Sequence, residues 1–336
     1  MCSSDLAGVP VRVTSPSREL FPAHEGRPAI TKMDLIEFYL ELSSPLLTAL
    51  RERPTVLKRF RDGITKEPFF QKRVPAGRPE WLQTVELAFP SGRTATELVP
   101  TDAAHLVWAT NLANIDFNPH PVRRDDLDHP DELRIDLDPQ PGVPWSQVRE
   151  VAMVVKEVLE EQGLRGWPKT SGSRGIHIYV RIRREWDFLA VRRAALAVSR
   201  EVERRMPGRA TSKWWKEERE GVFLDYNQNA RDRTIASAWS VRPVPEARVS
   251  CGLAWEEVPD VEPGDLTFFT VRERLASGGD PIGGIDDAAG SLDGLLELSR
   301  RDEEEGLGDA PWPPNFPKMP GEPKRVQPSR ARPEAD

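Results

Sequence analysis

The chain has 336 residues, 38 % of them hydrophobic and 30 % charged, the make-up of a globular protein that can bury one large core or two smaller ones. With no uninterrupted apolar run of about 18 residues, and no basic stretch leading into an apolar one at the start, neither a membrane span nor a secretion signal is expected, and the chain reads as cytoplasmic. Two cysteines, Cys2 and Cys251, with no CxxC and no Cys/His cluster, support neither a disulfide framework nor a structural zinc site.

The net charge of −7 averages two opposed regions: Arg51 to Arg78 carries nine Lys/Arg against three Asp/Glu, whereas Glu256 to Glu305 carries fifteen acids against four bases. A polyanion would feel the first region as a local positive field, although a basic run is equally the mark of an ordinary solvated face.

In chain order, residues 1–10 (beginning MCSSDL) read as a disordered or artefactual N-terminus. From Thr31, TKMDLIEFYLELSSPLLTAL predicts a helix with Thr31 as cap, Asp34 in the first turn and a stop near Ser43–Pro45. Thr55–Phe60, Pro68–Lys72 and Val85–Phe89 read as short strands separated by the turn signals Asp62-Gly63 and Ser91-Gly92, and Asp102–Ala113 as a helix. The strand LRIDLDP (Leu133–Pro139) is followed by a helix over Ser146–Gln162, a strand-turn-strand in KTSGSRGIHIYVRI, a helix over Phe188–Met206, and a strand pair over Val222–Tyr226 and Thr234–Val241. Strands and helices alternate without a regular βαβ rhythm, which predicts mixed α/β rather than a doubly wound sheet. The catalytic unit is expected over residues 11–258, an acidic extension packed on it over 259–305 with a short helix at Leu292–Arg301, and a Pro-rich disordered or surface-wrapping tail over 306–336.

Along LRIDLDP, alternation sends Leu133, Ile135 and Leu137 inward and Arg134, Asp136 and Asp138 to the opposite face, with the two aspartates roughly 6–7 Å apart at Cα. Carboxylates that close repel unless a cation joins them or one takes a proton. A bare DxD can also do no more than cap a loop, but Asp225 in VFLDYNQN ends a second apolar strand, and three acids on strand ends suit a two-metal site of Mg²⁺ or Mn²⁺ that clamps the oxygens of an in-line displacement. Between them lies TSGSRGIHIYV. Gly172 and Gly175 permit a tight turn whose backbone N–H groups can face an anion; Ser171, Ser173 and Arg174 add donors, and His177 stands on the following strand, where it can reach a triphosphate oxygen. Taken alone, the same stretch is also an ordinary hairpin with a half-buried histidine.

The order DLD, SGSRGIHIYV, VFLDYNQN resembles the three-motif pattern of archaeo-eukaryotic primases, and Val11 to Glu257 is similar to the polymerase domain of bacterial ligase D. The resemblance implies a primase-type core of two packed, mixed or antiparallel sheets flanked by helices. It also implies a template-dependent nucleotidyltransferase that prefers ribonucleotides, works with Mn²⁺ or Mg²⁺, acts at 5′-phosphorylated gaps or breaks in end joining, and is nucleoid-associated, with Ku and a separate ligase as partners. Asp136, Asp138 and Asp225 would hold the metals. Lys58, Ser171, Ser173, Arg174, His177, Arg219, Gln228 and Arg242 would contact the nucleotide, and Lys32 and Arg18 the 5′-phosphate, arginine standing at the second where the family carries lysine. Phe69 and Phe70, followed by Lys72, would lie against the template strand. In NIDFNPHP, Asn118 occupies the place of a family histidine, which leaves open whether Asn118 or His120 meets the nucleotide.

The string Phe60-Arg61-Asp62-Gly63 has phenylalanine where the KxDG nucleophile of a ligase would stand, so no ligase activity is expected. Two other readings remain: a primase proper, and a non-catalytic scaffold that binds DNA ends.

Overall fold

In the computed structural model, which describes residues 9–89, 92–314 and 316–319, a short antiparallel pair, β1 (Glu19–Phe21) and β2 (Ile30–Thr31), leads into α1 (Lys32–Glu41). Thr31 and Asp34 form a reciprocal capping box, Asp34 N–H donating to Thr31 Oγ1 and Thr31 N–H to Asp34 Oδ2, a cap worth about 1 kcal/mol. The chain does not leave helix at Ser43–Pro45 as expected. It breaks at Leu42 and resumes as α2 (Ser43–Leu50), with Pro45 inside the first turn where its missing N–H costs little.

Next come β3 (Thr55–Arg59), β4 (Phe69–Gln71), β5 (Thr84–Ala88), β6 (Thr94–Leu98), α3 (Ala103–Asn111) capped by Asp102, and β7 (Asn114–Pro119). β3 is the hub of one antiparallel sheet, bordered by β4 and β7 and touching β6 at Thr55–Leu98, while β5 pairs with β6. The second half supplies β8 (Glu132–Pro139), α4 (Trp145–Glu161), β9 (Gly166–Thr170), β10 (Ile176–Arg181), α5 (Phe188–Arg205), β11 (Ala210–Thr211) and β12 (Val222–Leu224). They build a second five-stranded sheet in the order β11-β12-β8-β10-β9, antiparallel except for the parallel β11–β12 edge. The fold is the mixed α/β arrangement of two sheets flanked by helices.

One apolar cluster joins Leu35, Phe38 and Phe117 to Ile135, Leu137, Ile178 and Val198. Leu133, Ile135 and Leu137 are buried as alternation predicts, but Arg134 on the other face is buried too, its Nη1 donating to Pro119 O of β7 and its Nε to Glu132. The faces of the two sheets therefore close on each other at Arg134 and open toward Asp136 and Asp138. Beneath this wedge lies a buried ion network: Arg53 donates to Asp131 at 2.7 and 3.1 Å, and Arg181 and Arg123 converge on the same carboxylate.

One expected strand is corrected. Thr234–Val241 is an irregular segment wedged between the sheets, because its N–H groups are spent singly on Phe117 O and Ser250 O and its backbone turns at Trp239 with φ +67°. Beyond it α6 (Val271–Gly278) and α7 (Asp293–Glu304) follow, with Val271, Ile282, Leu292 and Leu295 joining the same apolar cluster. No helix among the described residues is long and apolar enough to cross a membrane. Residues 1–8 and 320–336, the ends of the expected N-terminus and tail, lie outside the described residues.

Candidate active site

The register of the second sheet sets one row of polar side chains across four strands. Asp136 on β8 lies opposite His177 on β10, which lies opposite Lys169 on β9; on the other side the Asp225 N–H, just past β12, donates to the Asp136 carbonyl at 2.9 Å. Cross-strand partners share a face, so the row reads Asp225, Asp136, His177, Lys169. Asp138 stands two residues along β8, opposite Phe223.

Asp136, Asp138 and His177 border a cleft of about 380 Å³, lined also by Lys58, Phe70, Asp116, Asn118, Ser171, Ser173, Arg174, Gln228 and Arg242, whereas Asp225 and Lys169 are not part of its lining. Burial, then the neighbouring Asp225 and Asp138 charges, pushes the Asp136 carboxyl up to about 8, and burial raises Asp225 as well. Like charges held this way favour a bound cation. Among the described residues no three His, Cys, Asp or Glu side chains close around one point as a cage. The arrangement fits Mg²⁺ or Mn²⁺, hard ions held by one or two carboxylates and completed by phosphate oxygens and water.

Lys169, which the sequence reading passed over, is fully buried, and its ammonium donates to His177 Nδ1 at 2.7 Å, Ala236 O at 2.9 Å and Ser250 Oγ at 2.6 Å. Burial and then the Lys169 charge hold the His177 imidazole neutral. Nδ1 accepts from Lys169, so the ring proton sits on Nε2, 3.4 Å from Asp136 Oδ1. A signal was present: a five-residue turn between Thr170 and Ile176 places Lys169 across from His177.

The SGSRG turn differs in one respect from the expected anion nest. Ser173 and Gly175 N–H both donate to Ser171 Oγ at 3.0 Å, so those two amides face inward and the cleft receives the side chains of Ser171, Ser173 and Arg174 instead. The glycines are sterically required: Gly172 has φ +67°, and a Cβ on Gly175 would lie 2.1 Å from Leu137 O. Arg248, also missed, holds the turn from outside through Ser173 O at 2.6 Å.

Gln228 donates to Asp225 Oδ2 at 3.2 Å, and Arg242 stands 3.5 Å from Asp116, an unforeseen buried acid on β7. Asn118 reaches the cleft and donates to Asp116. His120 does not: it is buried beside Glu97 at 3.1 Å. Arg219 is the expected nucleotide residue that the structure leaves out of the cleft lining. It donates to the Lys213 and Trp214 carbonyls and stacks on Phe223 at 3.6 Å, behind the acids.

Phe69 and Phe70 are 50 % and 55 % exposed on the edge strand β4, so neither is core. Opposite Arg59 and Lys58 in register, they point to opposite faces. Phe70 enters the cleft with the Lys58 ammonium 5.5 Å from its ring; Phe69 carries Arg61 at 5.4 Å. Lys32 is buried with Nζ on Thr14 O at 2.5 Å, and Arg18 donates to Arg61 O. Burial, then the neighbouring Arg18 and Arg59 charges, lowers the Lys32 pKa. Lys72 lies apart, its ammonium 4.8 Å from the Phe89 ring.

A profile described as the LigD primase-polymerase domain matches residues 31–282. The multifunctional non-homologous end joining protein LigD of Mycolicibacterium smegmatis is 31 % identical over 312 residues, covering 92 % of this chain and 40 % of that protein. Its Pseudomonas aeruginosa counterpart is 32 % identical over 303 residues, 89 % of this chain and 35 % of the relative. The polymerase domain of Mycobacterium tuberculosis ligase D, solved in complex with DNA, matches with a TM-score of 0.76 at 29 % identity, over 84 % of this chain and 99 % of that domain. The chain thus spans about two fifths or less of the length of these curated relatives. It belongs to the LigD primase-polymerase family, the polymerase part of those proteins and a nucleotidyltransferase family.

Proposed function

We propose that the chain is a template-dependent nucleotidyltransferase that adds nucleotides, with ribonucleotides preferred, to a primer at 5′-phosphorylated gaps or breaks in DNA. The observation that carries this is Asp136, Asp138 and His177 bordering a cleft whose other walls bear Ser171, Arg174, Lys58 and Arg242, with Asp225 beside Asp136 in the sheet. Asp136 and Asp138 supply the acids, and Lys58, Arg174, Arg242 and the serines the cations and hydroxyls, the two kinds of group that a primer hydroxyl and a triphosphate need.

Asp136, Asp138 and Asp225 would hold Mg²⁺ or Mn²⁺, which when bound supplies charge neutralisation for attack at the α-phosphorus and departure of pyrophosphate. Lys58, Arg174 and Arg242 contribute fixed positive charge for the triphosphate, and His177 presents its Nε2 proton to a phosphate oxygen. Positioning and charge carry phosphoryl transfer, so no protein nucleophile is required. Phe70 stacks on the templating base, and Lys32 with Arg18 and Arg59 takes the 5′-phosphate. Arg219 would have to leave Phe223 to reach the nucleotide. We infer an end-joining setting from the relatives, which are non-homologous end joining proteins, and propose Ku and a separate ligase as partners and a cytoplasmic, nucleoid-associated location.

The test is extension of a labelled primer across a short 5′-phosphorylated gap, with ribo- and deoxynucleotides compared in Mn²⁺ and Mg²⁺ and Asp136→Ala alongside. Template-directed addition lost in the variant is expected; binding of gapped DNA without addition under any condition would leave an end-binding scaffold.

A further inference from the structure

The described part of the C-terminal tail is not merely draped over the surface. Arg192, in the second turn of α5 and 0 % exposed, donates from Nε to Asn227 Oδ1 at 2.7 Å, from Nη1 to Asp309 Oδ1 at 2.6 Å, and from Nη2 to Ala310 O at 2.6 Å and Pro311 O at 3.1 Å. Its guanidinium is stacked between the Trp312 ring at 3.9 Å and the Tyr226 ring at 5.1 Å, and Trp312 Nε1 donates back to Asp309 Oδ2 at 2.8 Å. Asn227 completes the clasp with Nδ2 on Pro311 O at 3.0 Å.

Asn227 is also the residue whose backbone N–H donates to Asp225 Oδ1 at 3.0 Å, since Asp225 caps the 3-10 turn Tyr226–Asn229. The tail therefore fixes the Asn227 side chain, and the Asn227 main chain fixes one oxygen of the acid; Gln228 fixes the other. A buried guanidinium needs its counter-ion, so loss of Asp309 would leave Arg192 uncompensated directly behind the site.

We propose that Asp309–Trp312 is a positioning element for Asp225, which extends the functional unit from the family-matched residues 31–282 to Trp312. This rests on the reading of Asp225 as a metal-holding acid. Groups that orient ligands from behind typically change metal affinity or activity by about 10- to 100-fold when removed.

The experiment uses the full chain with Asp309→Asn, Trp312→Ala and Trp312→Phe. Mn²⁺ binding without nucleotide is titrated by electron paramagnetic resonance, and addition kinetics, gapped-DNA affinity and thermal melting are measured in parallel. Trp312→Ala should weaken Mn²⁺ binding and lower kcat about tenfold each, with KM for nucleotide and DNA affinity within about twofold and Trp312→Phe close to the parent. Trp312 is only half-buried at the rim of the clasp, so its truncation keeps the test alive if Asp309→Asn fails to fold. Unchanged Mn²⁺ affinity in a natively folded Trp312→Ala chain overturns the proposal, as does a kcat loss that disappears well below the melting temperature, because the tail would then only stabilise. If the parent binds Mn²⁺ but adds no nucleotide, the polymerase reading fails while the comparison of Mn²⁺ affinities still decides the role of the tail.

Discussion

Replacing Phe70 by alanine separates two jobs carried by adjacent aromatic residues. Phe70 and Phe69 leave opposite faces of β4, the first into the cleft beside Lys58 and the second beside Arg61. Both rings are about half exposed, so truncation leaves no large internal cavity and the melting temperature should hardly move. Base–aromatic stacking is worth about 1–3 kcal/mol per base, which at 1.36 kcal/mol per decade is roughly 5- to 150-fold. Phe70→Ala should therefore raise KM for the templated nucleotide by that factor and change gapped-DNA affinity less. Phe69→Ala should weaken DNA binding, read by fluorescence anisotropy, with nucleotide KM little affected. Equal effects of the two variants on both quantities would refute the two-faced reading, and a melting temperature lowered by many degrees in either would put that ring in the core.

Three further outcomes follow from the site. Asp136→Asn should abolish addition and also change the pH dependence of the metal-free protein. The folded carboxyl lies near 8, above its ordinary 3.8, so the folded chain holds a proton that the unfolded chain releases; that stability is full below about 4 and is lost as pH rises to about 8. Urea unfolding with chelator from pH 5 to 9 should show the parent falling relative to the variant, and parallel curves would contradict it. Lys32→Ala should erase the preference for a 5′-phosphate over a 5′-hydroxyl at the gap, a charge-assisted contact of about 1.5–3 kcal/mol or at least tenfold in affinity; a retained preference in competition binding would move that pocket elsewhere. Lys169→Met leaves His177 Nδ1, Ala236 O and Ser250 Oγ without their donor, at about 1–3 kcal/mol for each buried unpaired group. It should lower the melting temperature and let the His177 proton move to Nδ1, visible in ¹⁵N spectra, and an unchanged tautomer would show that Asp136 alone orients the ring.

The parts of the fold that the sequence revealed are those decided by local rules. Thr31 announced its helix through Asp34 three residues on, and alternation in LRIDLDP foretold which three side chains would be buried. What stayed hidden depends on distant neighbours. The sequence assigns no element to β7, Asn-Ile-Asp-Phe-Asn-Pro, yet all six positions are buried because β3 and the segment around Ser237 and Ser240 cover it. Thr234–Val241 looks like a strand by composition, but its backbone meets β7 through the single Ser237 N–H on Phe117 O and turns at Trp239 instead of forming a ladder. Arg192 resembles any basic residue on an amphipathic helix, and only a tail more than a hundred positions later makes it a buried clasp. Arg219 shows the reverse: its motif was legible, but a stacked contact with Phe223 has taken its side chain out of the cleft lining.

The same dependence explains how two like charges can share one face of a buried strand. Along the chain Asp136 and Asp138 are only a repulsive pair; in the fold, burial first and then the Asp225 and Asp138 charges raise the Asp136 carboxyl. The sheet order β12-β8-β10-β9 sets Asp136 in a line with Asp225 on one side and, on the other, a neutral imidazole and then the buried Lys169 amine, with Asp138 two residues along β8. Lys169 does not pair with Asp136 because His177 stands between them, its Nε2 3.4 Å from the acid and its Nδ1 accepting from the amine. Moving the lysine one strand closer would join it to Asp136 as an ion pair, quench the acid and remove the drive to take up a cation. Keeping it one strand away lets the acidic end remain starved of positive charge while the imidazole keeps its proton aimed into the cleft. In the proposed reaction this spacing is what the site requires, because the metal completes one end and the triphosphate lies against the other.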